Sequence, residues 1–256
     1  EWRIFMIKNI GVLTSGGDTP GMNAAIRAVF KTGVDIDLQV MGIYHGYKGL
    51  IEGRVGYLAH ADVESKMHKG GTILRTARSE EFKTEGGIEK AISVLRAYEI
   101  EGLIVIGGDG SFKGADALSK RGIPVIGIPG TIDNDMGYTD FTIGFDTAVN
   151  NVMNEIYKIR DTMRAHDRVG VIEVMGRRCG DIALWAGVAG AADIILVPER
   201  PLSWADAANR LAANKLRGQL TSIVMIAEGA GKAEDFCEYV RKYTDVEIKA
   251  TVLGYI

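Results

Sequence analysis

Apolar positions along this chain occur in two patterns that alternate from end to end. Short runs rich in Val, Ile and Leu predict buried strands at 9–14, 39–44, 102–106, 123–128, 169–174, 193–197, 221–227 and 247–253. Longer stretches with apolar residues every three or four positions predict helices at 22–34, 87–98, 112–121, 146–164, 180–190, 203–217 and 233–243. Strands that alternate with helices indicate an α/β fold with mostly parallel sheets and right-handed crossovers.

The helical pattern from Asp146 to Arg164 is long enough to bridge two lobes. We therefore predict a first lobe over 1–144 and a second over 145–256, each a mostly parallel sheet flanked by helices in a Rossmann-like sandwich. The second lobe stops in or just after a strand, at 254–256, whereas an α/β lobe usually closes with a helix over its sheet. The sequence thus predicts that the native chain is longer.

The segment Pro129–Asp135 follows the apolar run at 123–128 and carries two carboxylates beside a hydroxyl. In open α/β sheets, ligands bind at the carboxyl ends of the strands. Asp133 and Asp135 at such an end suit a base, a metal contact and a phosphate neighbour better than they suit packing. The alternative is that Asp133 caps a helix or forms an Asx turn.

Glycine-rich turns follow two other predicted strands, at Ser15–Gly21 and at Gly107–Ser111. Glycine lets backbone N–H groups approach an anion closely, and the N-terminus of the following helix adds partial positive charge. Each turn alone fits a tight strand-to-helix connection equally well. Together with the paired aspartates, the two turns predict a phosphate-binding sheet edge.

Composition narrows the partners of the chain but does not identify them. The 256 residues are 46% hydrophobic and 25% charged, and a net charge of −3 gives no overall preference for nucleic acid or an anionic membrane. With no long apolar span and no signal-peptide pattern, we expect a cytoplasmic protein. Cys179 and Cys237 lack metal-type spacing and are predicted to be free thiols. Cys179 follows two arginines and starts a helix, so it is either an activated thiol or a small buried residue.

Six segments together resemble, in order, those of bacterial-type ATP-dependent 6-phosphofructokinases. They lie at 14–23, 70–78, 107–111, 129–135, 173–177 and 250–254. The resemblance implies a phosphofructokinase-like fold and transfer of the γ-phosphoryl group of MgATP to the 1-hydroxyl of fructose 6-phosphate in glycolysis, giving fructose 1,6-bisphosphate and ADP. Chains of this family continue past this point, and their next segment contributes part of the sugar-phosphate site.

The same resemblance implies the catalytic roles. Asp133 would accept the hydroxyl proton, and Thr131 would contact the transferred phosphate or the sugar. Arg78 and Arg177 would stabilise charge on the transferring phosphoryl group, since guanidinium groups are permanently charged and bidentate. Asp109 would hold Mg²⁺, chiefly through water, because Mg²⁺ keeps much of its hydration shell.

The binding residues are likewise implied by the resemblance. Those for ATP are Gly16, Gly17, Tyr47, Arg78, Phe82, Lys83, Gly108, Gly110, Ser111 and Gly114. Those for the sugar phosphate are Thr131, Asp133, Asp135, Arg168, Met175, Gly176, Arg177, Glu228 and Lys249. In this family arginines of a neighbouring subunit grip the 6-phosphate, so a homotetramer is expected. Arg168 fits one such position, and Lys249 replaces the other arginine. Five residues match an effector site for ADP or phosphoenolpyruvate, namely Arg27, Lys31, Arg160, Asp193 and Arg217.

Several alternatives remain at this stage. Pyrophosphate-dependent relatives carry an aspartate where Gly110 stands and a lysine where Gly130 stands, so glycine at both positions favours ATP as donor. The NAD and lipid kinases share the Gly-Gly-Asp-Gly turn but lack the 129–135 and 173–177 segments. A Rossmann dehydrogenase would need a Gly-x-Gly-x-x-Gly turn that the first turn does not match. An inactive truncated form is the non-enzymatic alternative.

Overall fold

The computed structural model describes residues 7–255, which divide after Thr131 into two compact units, the second beginning at Ile132. The division comes at residue 131, whereas the sequence places the lobe boundary at 144. The reason is that Ile132 packs in the same core cluster as Phe145 and the residues that follow it. The segment before the long helix therefore belongs with the second unit.

The first unit contains a five-stranded sheet in the order β3-β2-β1-β4-β5, parallel except for β3, which is antiparallel to β2. Its strands are β1 Asn9–Thr14, β2 Gln39–Ile43, β3 Val55–Tyr57, β4 Gly102–Gly107 and β5 Val125–Pro129. Its helices are α1 Met22–Asp35, α2 Gly46–Ile51, α3 His60–Val63, α4 Glu85–Ala97 and α5 Asp109–Ser119, with a 3-10 turn at Glu81–Lys83. The short elements β3, α2 and α3 and the 3-10 turn lack the periodicity that predicted the others.

The second unit contains a four-stranded, fully parallel sheet in the order β7-β8-β6-β9. Its strands are β6 Val169–Val174, β7 Ile194–Leu196, β8 Ser222–Ala227 and β9 Ile248–Leu253. Its helices are α6 Phe145–Ala165, α7 Asp181–Ala189, α8 Trp204–Leu216 and α9 Ala233–Tyr243. The predicted α/β class, with two mostly parallel sheets flanked by helices, is confirmed.

Helices cover both faces of each sheet, which explains the continuous apolar runs. Along β1, Val12 and Leu13 are fully buried in different core clusters, because successive side chains point to opposite faces. Val171 and Ile172 divide in the same way along β6. The polar turns are consequently left to the ends of the strands, where the candidate site residues lie.

Within residues 7–255, each helix is either too short or too polar to cross a lipid bilayer.

Candidate active site

The turn between β1 and α1 lies at the carboxyl end of β1 and is fixed largely by its backbone. The Ser15 N–H donates to the Ile106 carbonyl of β4 at 3.0 Å, and the Thr76 hydroxyl donates to the Gly16 carbonyl at 2.7 Å. Gly16, with φ at 90°, and Gly17 are both exposed. The two glycines predicted to face nucleotide phosphates are thus held in place with their surfaces open.

The turn between β4 and α5 brings a second backbone surface to the same sheet edge. A Cβ atom on Gly107 would lie 2.4 Å from Ser111 Oγ and 2.6 Å from the Ser15 carbonyl oxygen, so only glycine fits between the two turns. Gly108 precedes Asp109, the first residue of α5, whose N-terminal N–H groups supply partial positive charge. Gly110 is exposed, and no atom of the described residues would lie within 4 Å of a Cβ at that position.

A buried aromatic pair, Tyr47 and Phe82, packs against α5. Tyr47 and Phe82 stack with ring centroids 4.0 Å apart, and the Tyr47 hydroxyl donates to the Ser111 carbonyl at 2.6 Å. Burial raises the pKa of Tyr47 above its ordinary value. A Cβ on Gly114 would meet the Tyr47 ring at 2.7 Å, and Lys83 is exposed and paired with Glu80. These residues lie together, but both rings are core residues, and their contact with a nucleotide stays a prediction.

Asp109 is the carboxylate predicted to hold Mg²⁺. Its side chain is 58% exposed and paired with Lys113 one turn along α5, at 2.7 Å. Among the described residues no three His, Cys, Asp or Glu side chains cluster as metal ligands. A single exposed carboxylate fits Mg²⁺ that keeps most of its water and takes further ligands from substrate phosphates.

The first unit ends at Thr131, just after β5. The Gly130 N–H donates to the Gly107 carbonyl at 2.9 Å, and the Thr19 hydroxyl donates to the Gly130 carbonyl. A Cβ on Gly130 would lie 3.0 Å from Ile106 Cγ2. The first glycine turn, the second and the strand ending at Thr131 are therefore joined by hydrogen bonds.

In the second unit, Asp133 forms an ion pair with Arg177. Arg177 Nε lies 3.4 Å from Asp133 Oδ2, and the aspartate side chain is 9% exposed whereas the arginine side chain is 68% exposed. The Asn134 amide donates to Asp181 at 2.8 Å and accepts from the Thr142 N–H at 3.0 Å. The residue next to Asp133 is therefore anchored to the start of α7.

The loop from β6 to α7 carries Met175, Gly176 and Arg177. Gly176 is buried with φ at 134°, and Arg177 has φ at 54°, a conformation that side chains other than glycine seldom adopt. The Arg177 N–H donates to Glu228 Oε1 at 2.8 Å. The loop thus places a charged, exposed guanidinium beside a buried carboxylate.

Two residues predicted to bind sugar phosphate lie near the amino-terminal ends of strands β6 and β9, whereas the Arg177 loop follows the carboxyl end of β6. Arg168 immediately precedes β6, and its Nε donates to Glu247 at 2.5 Å. Lys249, exposed on β9, pairs in register with Gly170. Along β6, at about 3.3 Å per residue, Arg168 lies roughly 20 Å before the strand end that begins the Arg177 loop, and Lys249, level with Gly170, lies roughly 13 Å before it. Within this chain they do not join the group around Asp133.

Two other predicted residues, Arg78 and Asp135, are exposed.

The five predicted effector residues fall into two groups, one in each unit. Arg27 and Lys31 both pair with Glu64, at 3.6 and 2.7 Å, and the Lys31 hydrogen bond holds the pKa of Glu64 below its usual value. Arg160 donates to the Gly190 and Ala191 carbonyls at the end of α7.

The remaining two effector candidates lie in the second unit with Arg160. Asp193 accepts from the Ile223 N–H at 2.8 Å, and Arg217 is exposed at the end of α8. Arg160 and Asp193 therefore have roles in the fold besides any effector role.

Sequence reasoning missed one buried carboxylate. Glu173 is 5% exposed on β6 and accepts from Lys232 Nζ at 2.9 Å and from the Ala233 N–H at 2.8 Å. The signal was present, since a Glu inside the apolar run VGVIEV must have buried partners. Cys179 is the opposite case, because burial, the largest influence, raises the pKa of its thiol and favours an ordinary cysteine over an activated one.

Comparison with known proteins gives the family. The phosphofructokinase family profile matches residues 9–256. The chain is 53% identical over 250 residues to the ATP-dependent 6-phosphofructokinases of Clostridium botulinum and of Clostridium novyi, covering 98% of this chain and 78% of each relative. Solved phosphofructokinase structures from Saccharomyces cerevisiae and Pichia pastoris superpose with TM-scores of 0.89 and 0.90 at 36% and 35% identity. Each match covers 97% of this chain, and 38% and 29% of the respective yeast chain.

A pyrophosphate-dependent phosphofructokinase from Marinobacter aquaeolei has the same fold, with a TM-score of 0.86 over 97% of this chain and 69% of that chain, at 24% identity. At that identity the likeness concerns the fold alone. The family profile and the clostridial relatives cover nearly the whole sequence. This chain therefore belongs to the phosphofructokinase family.

Proposed function

We propose that the chain catalyses transfer of the γ-phosphoryl group of MgATP to the 1-hydroxyl of fructose 6-phosphate. The observation that carries the proposal is the buried Asp133 carboxylate with the Arg177 guanidinium 3.4 Å away, on a chain 53% identical to ATP-dependent 6-phosphofructokinases. The products are fructose 1,6-bisphosphate and ADP, and the reaction belongs to glycolysis. Phosphoryl transfer depends on positioning and charge stabilisation more than on covalent chemistry, which suits this arrangement.

On the acceptor side, Asp133 takes the proton as the sugar oxygen bonds to phosphorus and the bond from the γ-phosphorus to the ADP oxygen breaks. Arg177 stabilises the charge on the transferring group, and Arg78 is proposed to share that task. Met175, Gly176 and Glu228 lie on or against the loop that carries Arg177 and are proposed to contact the sugar. Asp135 is a further acidic group near the substrate.

On the donor side, the nucleotide phosphates bind backbone N–H groups rather than a cage of side chains. Gly16, Gly17, Gly108 and Gly110 are proposed to present those groups, helped by the N-terminus of α5. Asp109 would hold the Mg²⁺ that arrives with the nucleotide, and the ion would neutralise phosphate charge. Lys113, which pairs with Asp109 at 2.7 Å, would then be available to contact phosphate.

The donor is ATP rather than pyrophosphate. The open space around Gly110 leaves room for an α-phosphate, and a side chain with a negative charge there would obstruct and repel it. At Gly130 the neighbouring Ile106 leaves little room for a lysine that could hold a shorter donor. Both glycines therefore support the name that the clostridial relatives carry.

The sugar 6-phosphate is proposed to bind Arg168 and Lys249 of a neighbouring copy, within a homotetramer. The support is that both lie near the amino-terminal end of the second sheet, with Arg168 roughly 20 Å along β6 from the start of the Arg177 loop of its own chain. Lysine at 249 keeps the charge but loses the planar fork of arginine, so weaker binding is expected. A cytoplasmic location fits these substrates. Regulation by ADP or phosphoenolpyruvate through the five effector candidates is proposed from the resemblance alone.

The test is sugar-phosphate phosphorylation by the purified chain with Mg²⁺, comparing ATP with pyrophosphate as donor. We expect turnover with ATP alone, and a kcat lowered by about 10²–10⁴-fold in the Asp133→Ser variant. Asp140→Asn, at an exposed aspartate seven residues after Asp133, is the matched control and should keep full activity. Turnover with pyrophosphate would contradict the donor assignment, and an Asp133→Ser variant with a near wild-type kcat would contradict the assignment of Asp133 as the base.

A further inference from the structure

The loop between β6 and α7 is held at two points by carboxylates from neighbouring strands. The Arg177 N–H donates to Glu228 Oε1 at 2.8 Å, and the Gly180 N–H donates to Glu199 Oε1 at 2.7 Å. Glu228 follows β8 and Glu199 lies just beyond β7, and these are the next two strands beyond β6 in the sheet. Side chains from two successive strand ends therefore grip a loop that begins on a third. We call this arrangement the carboxylate clamp.

The loop needs such a grip because its conformation is strained. Arg177 has φ at 54°, and a residue other than glycine held in this strained conformation persists only where its surroundings determine it. Hydrogen bonds from N–H groups to carboxylates are roughly twice as strong as those between neutral groups. The clamp supplies two of them, one on either side of the Arg178–Cys179 segment.

Close contacts leave the loop no room to move sideways. A Cβ atom on Gly180 would lie 2.5 Å from Val197 Cβ and 2.6 Å from Glu199 Oε2. On the other side, a Cβ on Gly229 would lie 2.3 Å from the Arg177 carbonyl oxygen. Glycine at both positions is what allows the clamp to close on the loop backbone.

We propose that Glu199 is a positioning residue for phosphoryl transfer, which with Glu228 fixes the β6–α7 loop so that the Arg177 guanidinium reaches Asp133. The inference rests on the proposed function, in which Arg177 stabilises charge on the transferring group. Glu199 acts on the Gly180 backbone and through it on Arg177, so it has no need to contact substrate. Loss of the Glu199 carboxylate leaves the reacting groups present but misplaces the Arg177 guanidinium.

The test compares Glu199→Ala with Glu199→Gln, each made in the wild-type chain and in an Arg177→Ala chain. Glutamine keeps an Oε1 acceptor for the Gly180 N–H, whereas alanine removes it. A misplacement of about 1 Å can cost roughly 10²-fold in rate, so we expect Glu199→Ala to lower kcat about 10- to 100-fold with the KM for ATP unchanged. Glu199→Gln should stay near the wild-type kcat. In the Arg177→Ala chain, Glu199→Ala should produce no further loss.

Two kinetic outcomes would overturn the proposal. One is a loss in the Arg177→Ala chain as large as that in the wild-type chain, since Glu199 would then act independently of Arg177. The other is a glutamine variant as impaired as the alanine variant. Failure of the proposed function looks different: Arg177→Ala would itself turn over normally. Impaired Arg177→Ala with normal Glu199→Ala would leave Arg177 its role and refute the clamp.

Amide hydrogen exchange tests the clamp without relying on turnover. In Glu199→Ala, the peptide covering 175–182 should exchange faster, with the rest of the chain unchanged and with normal exchange in Glu199→Gln. Glu234→Ala is the matched control, because that carboxylate pairs only loosely, at 3.5 Å, with Arg241 on the exposed side of α9. Unchanged exchange at 175–182 in Glu199→Ala would refute the clamp.

Discussion

The polar loops of the first unit and those of the second are built by different means. In the first, Gly107 packs against Ser15 and Ser111 so closely that no side chain fits, and the turns are joined through backbone groups, with the hydroxyls of Thr19 and Thr76 as further donors. In the second, side-chain carboxylates hold the loops: Glu228 grips Arg177, and Asp181 grips Asn134. Backbone groups are sufficient for the proposed task of binding phosphate, whereas the proposed proton acceptor and charge-stabilising group require placed side chains.

The largest effect expected from this comparison is at Asp133. Asp133→Ser should lower kcat by about 10²–10⁴-fold, the usual contribution of a positioned general base. Because the proposed nucleotide loops belong to the other unit, equilibrium binding of ATP should be unchanged. Steady-state kinetics and nucleotide titration of the same preparation check both parts. A matching loss of ATP affinity would show that the two regions do not divide the work in this way.

The second largest effect is expected for Gly110→Asp, at the start of α5 in the turn that follows β4 in the first unit. A carboxylate beside phosphate costs several kcal/mol, so kcat/KM for ATP should fall on the order of 10²-fold. Since no atom within residues 7–255 lies within 4 Å of a Cβ there, the variant should fold and keep its melting temperature. Gly110→Ala, which adds bulk without charge, separates the two causes. Normal ATP kinetics in Gly110→Asp would refute the assignment of the donor's phosphates to this turn.

Glu173→Ala tests how much a buried carboxylate of the second unit contributes to the stability of the fold. The substitution removes the acceptor of Lys232 and of the Ala233 N–H at the start of α9, and hydrogen bonds to charged groups contribute about 1.5–3 kcal/mol each. Because Lys232 is half exposed and regains water, we expect a total loss of about 2–3 kcal/mol in the free energy of unfolding. Urea denaturation measures it. Glu238→Ala, on the exposed surface of α9, should change little.

Gly107→Ala is the counterpart in the first unit. The added methyl group would meet Ser111 and the Ser15 carbonyl well inside contact distance, and overpacking of this kind costs about 1–3 kcal/mol. Gly86→Ala, on α4 with nothing within 4 Å, is the control and should be neutral or stabilising by about 0.5–1 kcal/mol. If Gly107→Ala were equally neutral, close backbone packing would not be what shapes the phosphate turn.

The smallest effects concern the two cysteines. Burial raises the pKa of the Cys237 thiol to about 11 and raises that of Cys179 above its ordinary value. A raised pKa means less thiolate at neutral pH, so iodoacetamide should react slowly with both at pH 7 and faster as the pH rises. Cys179, which is partly exposed, should react before the buried Cys237. Rapid alkylation of Cys179 at pH 7 would indicate an activated thiol after all.

Sequence patterns were sufficient for the main framework and insufficient for the contacts that fix the site. Residues of β1 and β6 are buried on both faces, so their apolar runs are visible without a structure. The short helix α2 has no such periodicity, and the Ile132 packing that moves the unit boundary depends on contacts distant in sequence. Glu199 stands in a turn after β7, and only the three-dimensional structure shows that it accepts the Gly180 N–H.

The placement of Arg168 and Lys249 near the amino-terminal end of the second sheet, away from the Arg177 loop, has a genetic consequence. If a neighbouring copy supplies these cations, a chain lacking Asp133 and a chain lacking Arg168 carry complementary defects. Mixed assemblies of two inactive alleles would then contain sites with every part intact, and activity would reappear on co-expression. Conversely, an inactive allele would lower the activity of a normal one in the same cell. Dominance and complementation would thus follow from the separation that the six residues of β6 impose between Arg168 and the Arg177 loop of the same chain.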